Sequence, residues 1–174
     1  MKEQEATNYL DDNEDVDQTK LPTGLNVLTI LTFIWSAISV IANLYSFSTA
    51  KKSYDTKDEV LAKMNSTEMP GFLKSIMPSP QNFEAMVTKS YENRIPILIL
   101  GLLAVGLCFW GALEMRKRKK QGFTFYLVGT FLPFITSAAF IGFFALTGGA
   151  VYFMIFISLL FVGLYAMQRK YLYK

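Results

Sequence analysis

The chain contains no histidine and a single cysteine, Cys108. Without histidine it has neither the usual base nor the usual nitrogen ligand for a metal, and one cysteine cannot form an intrachain disulfide. Charge is missing over long distances. Between Lys120 and Arg169 lie 48 residues without an Asp, Glu, Lys or Arg. As one helix they would run about 72 Å, more than twice the hydrocarbon core of a bilayer. The segment must therefore fold back on itself, and Thr147-Gly148-Gly149 near its middle suits a reversal. Residues 25–47 and 95–113 are also free of charge, over 23 and 19 positions.

What fills these stretches is apolar. Of the 174 residues, 52% are hydrophobic and 15% aromatic, more than a water-soluble domain carries. Four transmembrane helices are expected, at 25–47, 95–113, 123–146 and 150–168. Helices are the economical choice, because backbone groups in lipid must pair within their own segment. The fold class is all-α: an integral membrane four-helix bundle with a partly helical extracytoplasmic loop, 48–94, between the first two spans.

One run interrupts the apolar half of the chain. Arg116, Lys117, Arg118, Lys119 and Lys120 stand in a row within a linker, 114–122, between spans two and three. Such a cluster suits nucleic acid, anionic lipid or a topology signal. The linker is too short to dock on nucleic acid, so no nucleic-acid partner is expected. Basic residues beside a span are retained on the cytoplasmic side, which places the linker inside. With four spans the C-terminus, 169–174, with Arg169, Lys170 and Lys174, falls on the same side, as does the tail. The expected topology is N-in, C-in. The loop 48–94 holds seven Lys or Arg, but these are spread among six acids.

The tail, 1–24, carries seven acids against Lys2 and Lys20 and little apolar surface, so it is expected to be disordered and cytoplasmic. Its acids lack the glycine and closing glutamate of a calcium loop. Leu21-Pro22-Thr23-Gly24 and Ser48-Thr49-Ala50 imitate sorting and cleavage signals, yet a 23-residue apolar stretch fits a retained anchor better. Asn65-Ser66-Thr67 is a glycosylation sequon, of consequence only in a eukaryotic secretory host.

In the outer loop, Thr56-Lys57-Asp58-Glu59 reads as a capping box opening a short helix. Met69, Phe72, Leu73, Ile76 and Met77 share one helical face, and Ser79-Pro80 opens a third helix with Phe83, Met86, Val87 and Tyr91 aligned. These amphipathic helices suit a lid over the span ends or a docking surface for a partner.

Within the first span, six of the seven Ser, Thr and Asn residues fall on one heptad seam: Thr29, Thr32, Ser36, Ser39, Asn43 and Ser46. In the second, Gly101, Ala104, Cys108 and Gly111 form a groove of small side chains at matching spacing. Small residues and hydroxyls mark helix interfaces in lipid, so spans one and two are expected to pack through these faces. Ala138, Gly142, Ala145 and Gly149 form a similar run in span three, where Pro133 is a candidate bend. Span four suits lipid contact.

No ionisable residue lies within the four spans, as ion or proton coupling normally requires. No phosphate loop or metal-ligand cluster is present, and Glu114 offsets the basic run more simply than it serves as a base. No cofactor and no catalytic group are therefore expected. The leading expectation is a non-enzymatic structural or interaction protein, in contact with the bilayer and meeting a partner through 48–94 or the acidic tail. The alternative is a small homo-oligomeric pore or carrier for a neutral solute, lined by the polar seam.

In layout and composition the chain resembles the uncharacterised small four-span proteins of bacterial inner membranes, which implies an inner-membrane location and no particular activity. The loop lacks the tryptophan motif and cysteine pair of claudin-like proteins, and span one lacks the glutamate of small multidrug transporters.

Overall fold

The computed structural model describes residues 22–65, 70–71 and 77–172. The fold is all-α. Its helices are α1 (Thr23–Asp55), α2 (Lys57–Asn65), α3 (Pro80–Glu92), α4 (Arg94–Arg116), α5 (Gln121–Phe140) and α6 (Gly149–Gln168). Short 3-10 turns occupy Phe143–Leu146 and Arg169–Tyr171. Among the described residues four helices are long and apolar enough to cross a membrane: α1, α4, α5, and α6 with the turn that follows it. They form a membrane-type bundle and mark the chain as an integral membrane protein. Residues 1–21 of the expected tail and most of the segment opened by Met69 lie outside the described residues.

The helices end where backbone chemistry, not hydropathy, ends them. α1 has 33 residues, about 50 Å at 1.5 Å per residue, and so outruns a core of about 30 Å. Nothing between 47 and 55 breaks it, and Ser48 and Thr49 return their hydroxyls to the carbonyls of Leu44 and Tyr45 at 2.8 and 2.9 Å. Thr56 does the same, donating to the Lys52 carbonyl at 2.8 Å. The expected capping threonine therefore serves the end of α1, and α2 follows after that one residue.

The third apolar helix stops at Phe140 rather than at 146. Gly142 takes φ 121°, Gly148 takes φ 138°, and Phe143–Leu146 makes a 3-10 turn between them. The reversal thus spans two glycines, each in backbone geometry that L side chains avoid. The expected run Ala138, Gly142, Ala145 and Gly149 is split: Gly142 has left the helix, Ala145 is in the turn, and Gly149 opens α6.

The basic run has a structural duty at the end of α4. The Lys119 N–H bonds the Glu114 carbonyl at 3.0 Å and the Arg118 N–H bonds the Met115 carbonyl at 2.9 Å, with Arg118 at φ 59°. This is a Schellman cap with arginine in the left-handed position usually given to glycine, at a cost of about 1–2 kcal/mol. Glu114 is buried and gathers two of the cations, Lys119 at 2.7 Å and Lys117 at 3.2 Å.

Packing is inverted relative to a water-soluble bundle. On α1, Trp35 and Ile41 are 60% and 68% exposed, whereas Thr29, Thr32 and Ser36 are 0%, 5% and 6% exposed. Large apolar side chains face outward because lipid solvates them as well as a core would, and the inner face goes to groups that pack closely or hydrogen-bond.

Candidate functional site

The small-residue seam of α4 divides between two neighbours. Gly101 faces α1, where a Cβ would collide with the Asn43 side-chain amide. Gly111 faces α5: a Cβ there would lie 2.6 Å from the Tyr126 nitrogen and 2.7 Å from the Gly122 carbonyl oxygen. From the other side, a Cβ on Gly122 would meet the Gly111 oxygen at 2.6 Å, and one on Gly129 would meet the Ala104 oxygen and Cys108 Sγ, each at 2.7 Å. Thus Ala104, Cys108 and Gly111 let α4 and α5 touch backbone to backbone. The Gly101–Asn43 contact matches the expected pairing of the two seams. The reason is connectivity: the four residues between α4 and α5, 117–120, force these helices side by side, so the smoothest face of α4 goes to its neighbour in the chain.

The polar seam of α1 divides too. At the end nearer the basic run, Thr29 donates to the Asn26 carbonyl at 2.9 Å, and Thr32 shares a 2.7 Å hydrogen bond with the hydroxyl of Tyr165 on α6. The Tyr165 ring leans on that of Tyr126, centroids 4.4 Å apart. Both tyrosines are buried with Leu25, Leu28, Met115 and Leu172. Cys108 Sγ lies 3.8 Å from Thr130 Oγ1 and 3.9 Å from the Tyr126 carbonyl. Towards the other end Ser39 and Asn43 are half-buried and Ser46 is exposed.

Tyr165 was absent from the seam read in the sequence. Its signal was present, as a phenol in a helix otherwise free of strong hydrogen-bonding side chains except Ser158, Tyr152 and Gln168, and a phenol in lipid seeks a partner. At the basic end, Arg169 lies over the Phe123 ring at 5.4 Å and Arg116 over that of Phe33 at 5.9 Å. Arg116 to Lys120 and Arg169 to Lys170 therefore gather at one end of the bundle.

The opposite end is capped. α2 and α3 stand against the extension of α1, and the Asn93 side chain bonds the Phe140 carbonyl at 3.4 Å. Four side chains make a ladder there. Lys57 Nζ sits 4.5 Å from the Tyr54 ring, Tyr54 stacks on Tyr91 at 4.8 Å with 18° between planes, and the Arg94 guanidinium lies 4.5 Å from the other ring. Cation–π contacts of this kind fix otherwise mobile side chains. On the exposed side of α2, Lys63 bonds Glu59 at 2.7 Å and holds its carboxyl below the usual range.

Between α1, α3 and α4 this end encloses a cleft of about 350 Å³. The expected apolar face of α3, with Phe83, Met86, Val87 and Tyr91, lines it, opposite Asn43, Ser46 and Phe47 of α1. No signal in the sequence joins Tyr54 to Tyr91, since only the tertiary fold brings them together. Among the described residues no three His, Cys, Asp or Glu side chains form a metal-binding group. No protein-family model, no curated protein and no solved structure matches the chain.

Proposed function

We infer that the chain is a non-enzymatic structural or interaction protein of a bacterial inner membrane, with its N- and C-termini in the cytoplasm and its helical cap outside. The orientation follows from the basic end, since Arg116 to Lys120 and Arg169 to Lys170 gather there and retention of positive charge makes that end cytoplasmic. Reporter fusions check it. A fusion at residue 75 should be active only outside the cytoplasm and one after residue 174 only inside, and the reverse pattern would overturn the assignment.

The observation that carries the functional reading is the Thr32–Tyr165 hydrogen bond at 2.7 Å, inside a seam whose Thr29, Thr32 and Ser36 are buried. It favours packing at that end of the seam: hydroxyls that satisfy one another between helices hold a bundle together. The cap, carried beyond the bilayer by the extension of α1, is the surface available to a partner.

Copurification of the full chain in mild detergent tests this reading against the pore or carrier. A stable heteromeric partner, lost when α2 and α3 are replaced by a flexible linker, is the expected result. A lone homo-oligomer whose solute flux changes in Ser36→Ala and Ser39→Ala would overturn it.

A further inference from the structure

The cleft at the capped end straddles the edge of the apolar spans. Asn43, Ser46, Phe47, Ile97 and Leu98 belong to the uncharged stretches, whereas Ser53, Ser90, Tyr91 and Arg94 lie beyond them. A site of about 350 Å³ with an apolar floor at membrane depth and a polar rim at the surface is shaped for an amphiphile. The charge of the rim narrows the class. Arg94 is the one ionisable cation in the lining, no carboxylate lines the cleft, and among the described residues Arg94 has no acidic partner. Its guanidinium is held against Tyr91, itself stacked on Tyr54. Fixing the planar fork before binding reduces the ordering cost of a phosphate contact, and Arg matches phosphate with two parallel N–H bonds.

We propose that this cleft binds one anionic phospholipid of the adjoining leaflet, its phosphate on Arg94 and part of an acyl chain along Phe47, Val87 and Leu98. Ser90 and Ser53 on the rim supply neutral donors for the glycerol and headgroup oxygens. The binding concerns the isolated chain and stands whether or not a protein partner exists.

The test is native mass spectrometry of the purified full chain in mild detergent, with phosphatidylglycerol or phosphatidylcholine of the same acyl composition added. One phosphatidylglycerol should be retained in preference to phosphatidylcholine. Arg94→Gln should weaken that retention roughly tenfold, the loss expected for a charge-assisted hydrogen-bond pair. Ala50→Phe, which fills the cleft from α1 without touching the charge, should abolish it while helical circular dichroism is unchanged, and decides the matter if Arg94→Gln does not fold. Lys120→Gln, at the far end, should leave this lipid in place. Equal retention of phosphatidylcholine, retention unchanged by Ala50→Phe, or a loss in Lys120→Gln as large as in Arg94→Gln would each overturn the proposal. So would inorganic phosphate raising the unfolding midpoint as much as the lipid, which would assign the site to a free anion, or a dimer dispersed by Ala50→Phe, which would assign it to a second copy.

Discussion

The α4–α5 hairpin and helix α6 are both apolar enough to span a membrane, yet they are held in opposite ways. In the hairpin the grip is distributed. Gly111, Gly122 and Gly129 bring two backbones into contact along several turns, and a buried glutamate and a Schellman cap close the connection. α6 is held mainly at its basic end, where Tyr165 is fully buried and meets Thr32 and Tyr126, Phe161 and Val162 pack on the same cluster, and Gln168 lies against Gly24 of α1. Dispersion between close backbones accumulates with every turn along the hairpin, while the attachment of α6 is concentrated around one phenol at one end. The first arrangement makes a rigid unit, and the second makes a helix whose hold can be weakened at one end.

The largest effect should come from breaking the hairpin. Gly111→Ala places a methyl 2.6 Å from the Tyr126 nitrogen and 2.7 Å from a carbonyl oxygen. Neither obstacle is a flexible side chain, so the helices must separate. Destabilisation of about 3 kcal/mol is expected, the upper end for overpacking, read as a lowered unfolding midpoint in detergent. Gly101→Ala supplies the contrast, because the nearest atoms to its methyl belong to the Asn43 side chain, which can turn away at the loss of its 2.7 Å hydrogen bond to the Ser39 carbonyl. A similar loss in both variants would show that backbone contact is not what distinguishes the hairpin.

Next in size is Tyr165→Ala. An aromatic truncated in a water-soluble core costs about 3–5 kcal/mol, but here the reference state keeps the ring in lipid, so about 2 kcal/mol is expected. The loss should be local: protease access to the turn after Leu146 and crosslinking between α1 and α6 should change, while α4–α5 crosslinks persist. If the hairpin loosened equally, the attachment of α6 would not be a separate unit.

The same contrast sets how much was legible in advance. The sequence predicts spans two and four at 95–113 and 150–168, and the helices run over 94–116 and 149–168, because charge or glycine brackets both. For span three the sequence predicts too long a helix, since Phe143, Phe144 and Leu146 are apolar and hydropathy cannot distinguish a 3-10 turn at a membrane edge from another turn of helix. The seams were visible as spacings, but spacing gives a face and not the neighbour it meets. The short 117–120 connection decided that for Ala104, Cys108 and Gly111. The ladder from Lys57 to Arg94 is illegible in the sequence, because its members come from four helices and follow no shared period.

A smaller effect sharpens the account of α6. A double-mutant cycle of Thr32→Val and Tyr165→Phe isolates their hydrogen bond from the packing of the ring. Its coupling energy is expected at about 0.6 kcal/mol, the average for such bonds between helices in lipid. Coupling near zero would mean that the phenol anchors α6 through its ring on Tyr126 alone, and the polar seam would lose its part in holding the helix.

The smallest expected effect is also the cleanest control. Gly106 on α4 and Gly163 on α6 have nothing within 4 Å of where a Cβ would stand. Each lies on a helix whose other face is packed, so replacing either by alanine tests whether glycine matters by its nature or by its place. If place decides, both variants should unfold within about 0.5 kcal/mol of the parent chain, although Gly106 lies only five residues from Gly111. A large loss at Gly106 would mean that α4 has a further packed face beyond those on α1 and α5, as it would against another copy of the chain. The hairpin would then be one side of a larger assembly, and α6, held at its basic end, its movable edge.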